Sequence, residues 1–220
     1  MAEHAHVDET TQPPVDDGSG LVGFAISYPG QGGLKTVLFG GLMLLFAWLI
    51  LPLFIAGGYF IRMTRAAALG EPEPPEFDDW GGMFFDGLML ALVFVPLGIA
   101  YLVGVLVASQ LHETLVFLLG MAVSYAAPGM YMNYAVHDEW QAAYDFSTLS
   151  TQLTTRPYIF GFLIYFFVFN MIGFFVVVFL GLVSLLTIVG WIIIWPMLYF
   201  YWIGIDAALW GRVYRQIEST

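Results

Sequence analysis

The stretch Glu71–Leu90 reads EPEPPEFDDWGGMFFDGLML and passes from a proline-rich acidic loop into an apolar helix. Pro72, Pro74 and Pro75 lack the N–H that a helix needs, and each pushes its predecessor toward extended backbone, so Glu71–Pro75 is a short stiff spacer. Asp78 and Asp79 then offer capping carboxylates, and negative charge at the positive end of a helix dipole, which predicts a helix starting near residue 79. Trp80, Phe84, Phe85 and Leu88 share one side of that helix while Asp86 lies elsewhere, the pattern of a segment at headgroup level before it turns inward. A plain spanning helix whose first turn is belted by aromatics fits the same residues. Ionised carboxylates cannot enter hydrocarbon, so Glu76, Asp78 and Asp79 stay at the aqueous face. Trp80, Phe84 and Phe85 fix the far end of the loop at the interface, and together with Phe77 and the three carboxylates they form the candidate interaction site.

Of 220 residues, 60% are hydrophobic and 10% charged, a balance foreign to soluble domains of this size and expected of a membrane protein. There is no cysteine, which excludes disulfides, thiolate metal sites and cysteine nucleophiles. The net charge of −11 is concentrated in the tail and loops. Such an exterior suits high salt, where self-repulsion is screened, and predicts a halophilic source. It also argues against a nucleic-acid partner, whose phosphates need Lys and Arg to neutralise them.

Outward from the loop, residues 1–33 are polar, acidic and rich in Pro, Gly and Asp, and are expected to be a disordered tail. Gly18–Gly23 spells GxGxxG but follows QPPVDD rather than a strand, so no nucleotide site is read from it. Leu34–Ile61 is long enough for one span, kinked at Pro52 and closed by Arg62 and Arg65 as headgroup anchors. A re-entrant hairpin turning near Pro52 is the other option, although the stretch after Pro52 is short for a full span. The next spans are expected at about 87–108, 114–136, 158–181 and 185–208. Within the second, Ala100, Gly104 and Ala108 recur every fourth residue and present a smooth stripe for helix packing. Residues 137–156 form a polar interlude that is either an interfacial amphipathic helix or a solvated connector. The expectation is an all-α polytopic transmembrane bundle of about five spans with one or two interfacial helices. Its membrane domain covers residues 34–216, and residues 217–220 form the C-terminal end.

PPEFDDW at 74–80, FFDG at 84–87, GGYFIRMTRAAALG at 57–70, DEWQAAYDF at 138–146 and AALWGRVYRQ at 207–216 resemble the blocks of an archaeal membrane family known as domain of unknown function 4013. The resemblance implies an integral membrane protein and assigns no catalytic residue.

Chemistry is sparse. Asn170 and Asp206 are the polar groups deepest in apolar runs, with Asp206 expected near the headgroups beside a basic partner. No HExxH, GxSxG, Walker or EF-hand pattern occurs, so neither an enzyme nor a cofactor or metal site is expected. A structural or protein-interaction module that positions cytoplasmic loops is favoured, with the bilayer, another membrane protein or a second copy as partner. A small-solute or ion transporter or channel component is the alternative. With five crossings, Lys and Arg near span ends put the C-terminus in the cytoplasm, the N-terminal tail outside, and Lys35 as the one cation on the outer side.

Overall fold

A computed structural model describes residues 20–184, 187 and 190–219, and no strand occurs among them. The chain runs α1 (Leu21–Gln31), α2 (Gly33–Leu45), a 3-10 turn (Ala47–Leu49), α3 (Leu51–Leu69), α4 (Trp80–Leu111) and α5 (Glu113–His137). Short helices α6 (Trp140–Ala143) and α7 (Phe146–Leu153) follow. Next come α8 (Arg156–Leu163), π-helical Ile164–Ile172, α9 (Gly173–Ser184), π-helical Gly190–Ile194 and α10 (Trp195–Glu218). Among the described residues, four continuous rods are long and apolar enough to cross a membrane: Trp80–Leu111, Glu113–His137, Arg156–Val183 and Ile192–Glu218. The protein is a polytopic all-α membrane bundle, with four such rods where about five spans were expected.

The difference lies in Leu34–Ile61, which does not form one kinked span. The chain reverses between Phe46 and Ile50, where Ile50 takes φ 67°, a left-handed conformation that a β-branched residue adopts only under strain. Pro52 then sits in the first turn of α3, where its missing N–H leaves no helical bond unmade. A proline that could only kink a continuous helix instead starts a new one. Gly40 and Gly41 of α2 lie against Phe200 and Met197, while Gly204, later in α10, meets Pro29 of α1. α1 and α2 therefore run antiparallel to α10. α3 runs parallel to it, with Phe60 beside Phe200 and Thr64 bonded to the Ala207 carbonyl. The hairpin is the arrangement adopted.

The expected disordered tail also ends earlier than residue 33. Residues 1–19 lie outside the described residues, but Leu21–Gln31 is helical, and its Ala25 and Tyr28 are fully buried. Tyr28 Oη donates to the Glu73 carbonyl at 3.0 Å, Tyr201 Oη to that of Ile26 at 2.7 Å, and the Arg212 guanidinium lies 4.9 Å above the Phe24 ring. Glycines and Pro29 dilute this stretch in sequence, yet its aromatic side chains find a surface on α10. Nor does a separate surface helix form at residue 80: α4 is one continuous rod. The 138–155 interlude folds onto the bundle through buried Ala143 and Leu149 and leaves Trp140 and Phe146 exposed.

These contacts collect one end of the molecule. The start of α1, the 70–79 loop, the α5–α8 connection and the end of α10 lie together, so the described chain enters and leaves on the same side. All six cations, Lys35, Arg62, Arg65, Arg156, Arg212 and Arg215, belong to that end; the expected outlier Lys35 lies three residues after Gly32, which contacts Pro74. The opposite end carries the Phe46–Ile50 and Leu111–Glu113 turns.

Helices α3, α4 and α10 meet at backbone contact distance. A Cβ on Gly58 would stand 1.8 Å from the Met83 carbonyl oxygen, one on Gly87 1.9 Å from that of Phe54, and one on Gly211 2.3 Å from that of Thr64. The expected stripe is looser. Gly104 faces the flexible Leu119 side chain, Ala108 is buried and Ala100 is exposed. Gly58→Ala and Gly87→Ala are expected to cost about 1–3 kcal/mol each as overpacking, and Gly104→Ala far less. Thermal unfolding in one detergent checks the order, and equal losses would refute it. In this cysteine-free chain, Glu76→Cys and Ser219→Cys should react with an impermeant maleimide from one membrane side and Gln110→Cys from the other; opposite labelling of the first two would overturn the hairpin.

Candidate functional site

The charged end is built around α3. Arg62 bridges two carboxylates of the neighbouring element: Nε donates to Asp86 Oδ2 at 2.6 Å and Nη2 to Asp79 Oδ2 at 2.9 Å. Asp79 also caps α4, accepting from the Gly82 N–H at 2.9 Å. That bond and then the Arg62 guanidinium hold the Asp79 carboxyl below its ordinary value. Arg65 Nε donates to the Ala135 carbonyl at 2.6 Å, and its Nη2 lies 3.2 Å from Asp138. The arginines expected to reach for headgroups turn inward instead and tie α3 to α4 and α5. Each finds a carboxylate within reach, and a fixed ion pair with extra hydrogen bonds outcompetes a loose headgroup contact.

The 71–90 stretch is pinned at both flanks. Pro74 is buried, and the Phe77 ring stacks on Tyr59 with centroids 4.1 Å apart and planes 6° apart. Trp80 Nε1 donates to the Phe77 carbonyl at 2.9 Å, and the indole meets Phe39 edge-on. Phe84 is half-buried against Phe54, whereas Phe85 is exposed. Glu76 and Asp78 are exposed at the crest of the loop. Burial, and then the Glu71 charge, push up the hydroxyl of Tyr28, the residue that clamps the loop from below.

Next to α7, Asp145 accepts from the Ser147 and Thr148 hydroxyls and their N–H groups. These bonds, the hydroxyls first, lower its carboxyl to about 2. His137 Nδ1 is 3.0 Å from the Asn133 carbonyl oxygen, Asp138 faces Arg65, and Glu139 is exposed, so these consecutive residues diverge. Asn170 donates to the Tyr165 carbonyl inside the π-helical stretch.

Asp206 is placed differently from expectation, because no basic residue pairs with it. Arg62 and Arg65 are engaged as above, Arg212 covers Phe24, and Arg215 lies against Gly70. Asp206 instead lines a cavity of about 740 Å³ between α3, α4, α5, the first π-helical stretch and α10. Its Oδ1 is buried without a hydrogen-bond partner. The sequence carried a signal for this. The cavity faces are Gly87, Leu90, Ala91 and Phe94 on α4, Ser124, Ala127, Pro128 and Tyr131 on α5, and Ile203, Asp206, Ala207 and Trp210 on α10. Each set falls at i, i+3, i+4 and i+7, one helix face, and Asp206 is the carboxylate among them.

Residues 41–182, well over half of the chain, match the family described as Protein of unknown function (DUF4013). The chain belongs to this family. No curated protein and no solved structure matches it. The match takes in the pinned loop and the Arg62–Asp79–Asp86 cluster, while Asp206 lies beyond it.

Arg62→Gln should let the Asp79 carboxyl rise toward its ordinary 3.8 while the Gly82 bond still holds it somewhat low, and should lower the thermal midpoint. Because the folded carboxyl is depressed, the stabilisation is present above that ordinary value and is lost as pH falls through the depressed one. Carboxylate titration by infrared or NMR spectroscopy, alongside melting, checks both. An unchanged midpoint would reduce the pairs to surface decoration.

Proposed function

We propose that the protein is a non-catalytic membrane module that holds a fixed acidic face at one membrane surface for a partner. The observation that carries this reading is the clamping of the 71–80 loop by Tyr28, Pro74, Phe77 and Trp80, with the Glu76 and Asp78 carboxylates left outward. A loop already ordered gives up little freedom when something binds, so the affinity of its carboxylates is not spent on ordering. The partner is a basic surface of another membrane protein, not a nucleic acid. The net charge of −11 supports that choice, and it fits a halophilic archaeal source in which high salt screens self-repulsion.

Orientation follows from the same end. Cations favour the cytoplasmic side, and all six gather with the loop, so that face and both described chain ends are cytoplasmic. A transporter or channel component is the second reading, favoured by the π-helical breaks and by an acidic group in an apolar cavity.

The test is a Glu76→Ala/Asp78→Ala double variant. Asp79 stays intact because it caps α4 and binds Arg62. Partner recovery from native membranes is expected to fall several-fold while the melting midpoint holds. Undiminished recovery, or solute flux through purified protein in proteoliposomes, would count against the interaction module and favour transport.

A further inference from the structure

The cavity that Asp206 lines is mostly apolar, and Asp206 is the carboxylate among its lining residues. Asp206 Oδ1 has no partner. Pro128 has no N–H, so the Ser124 carbonyl, four residues earlier and on the same cavity-lining face, loses its helical donor. The Tyr131 hydroxyl is committed elsewhere. Tyr131 Oη and Thr64 Oγ1 are 2.9 Å apart, and Thr64 in turn donates to the Phe60 and Ala207 carbonyls at 3.0 and 3.1 Å. Thr64 having spent its proton on the backbone, the tyrosine proton goes to Thr64. The rings of Tyr131, Tyr165 and Trp210 line the same cavity, the last two with centroids 5.6 Å apart. A carboxylate and aromatic rings in one cavity are the chemistry that holds an organic cation, through charge and through the ring quadrupoles.

The remainder of the lining, Leu53, Phe54, Phe94 and Val123, is apolar, and a volume of about 740 Å³ is that of a small-molecule site. Asp206 lies about a turn and a half before Arg212, near the charged end, whereas Val123 and Leu53 lie farther along their helices toward the opposite end. A bound molecule would therefore have its charge at the interfacial level and its apolar body deeper. We propose that this cavity is a binding site for a lipophilic organic cation, with Asp206 as its counter-ion and Tyr131, Tyr165 and Trp210 as its aromatic wall. A molecule without positive charge leaves the carboxylate without a counter-charge, and an anion would face it.

The test uses the full-length protein in nanodiscs of neutral lipid, with tetraphenylphosphonium and tetraphenylborate as a pair matched in shape and opposite in charge. Saturable, one-to-one binding of the cation is expected, with at least a tenfold preference over the anion. Asp206→Asn should weaken cation binding at least tenfold. It should also raise the melting midpoint of the empty protein, because it removes a buried charge without a partner. Ala127→Leu, which fills the cavity and leaves the carboxylate, should weaken binding as well and serves if Asp206→Asn does not fold. Equal binding of both ions, unchanged affinity in either variant, or a lowered melting midpoint in folded Asp206→Asn would overturn the proposal. Loss of cation binding leaves the acidic-loop reading untouched, since that rests on Glu76 and Asp78.

Discussion

Contact between helix backbones at the glycines of α3 and its neighbours is the constraint on which the rest of this bundle depends. In hydrocarbon, apolar side chains gain little by leaving lipid for one another, so helices associate through close van der Waals contact and polar bonds. α3 is the shortest of the major helices and carries two arginines, which makes it a poor membrane segment by itself. Gly58 against Met83, Gly87 against Phe54 and Gly211 against Thr64 allow it to sink between α4 and α10 until backbone meets backbone. At that distance the Thr64 hydroxyl reaches the Ala207 carbonyl and Arg62 reaches both Asp79 and Asp86. The polar bonds are consequences of the close approach, and they stabilise it in turn.

The same geometry separates three paired aspartates from Asp206. Asp79, Asp86 and Asp138 lie where α3 can present a guanidinium to them, and each is paired. Asp206 lies on the other flank of α3, behind Phe60 and Thr64, where neither arginine points. A carboxylate in such a place has lost water without gaining a partner, the arrangement that is costly to keep unless something fills it. Local pairing at the surface and isolation in the cavity thus follow from the face of α3 that each acid meets.

The helical class, the long apolar rods and the start of α4 after Asp79 were legible because they rest on local signals: composition, proline chemistry and a capping carboxylate. The first hairpin was not. Pro52 serves equally as a kink or as a first-turn residue, and the choice is made by Ile50 turning left-handed so that α2 and α3 can both lie on α10, a contact between residues far apart in sequence. The helix at Leu21–Gln31 was hidden for a similar reason, since its glycines and Pro29 lower the local signal while Tyr28 finds the Glu73 carbonyl across the fold. In the candidate site, Glu76 and Asp78 are exposed, while Phe77, grouped with the interfacial residues in sequence, stacks on Tyr59. Asp206 was noticed as an ionisable residue in an apolar run. That its partners are absent is a property of five helical elements together, and no window of sequence contains them all.

α3 belongs to both the acidic loop and the cavity. Its Tyr59 supports Phe77, and Arg62 holds Asp79, so the loop takes its position from α3. Phe54, Gly57 and Phe60 of the same helix form one wall of the cavity beneath. Because Gly58 and Gly87 sit against carbonyl oxygens with no slack, α3 cannot slide along α4 without a backbone clash, and the two helices behave as one body. The 71–79 loop that joins them, clamped in addition by Tyr28 of α1, is a part of that body. The acidic face and the Asp206 cavity thus share one helix as a structural element.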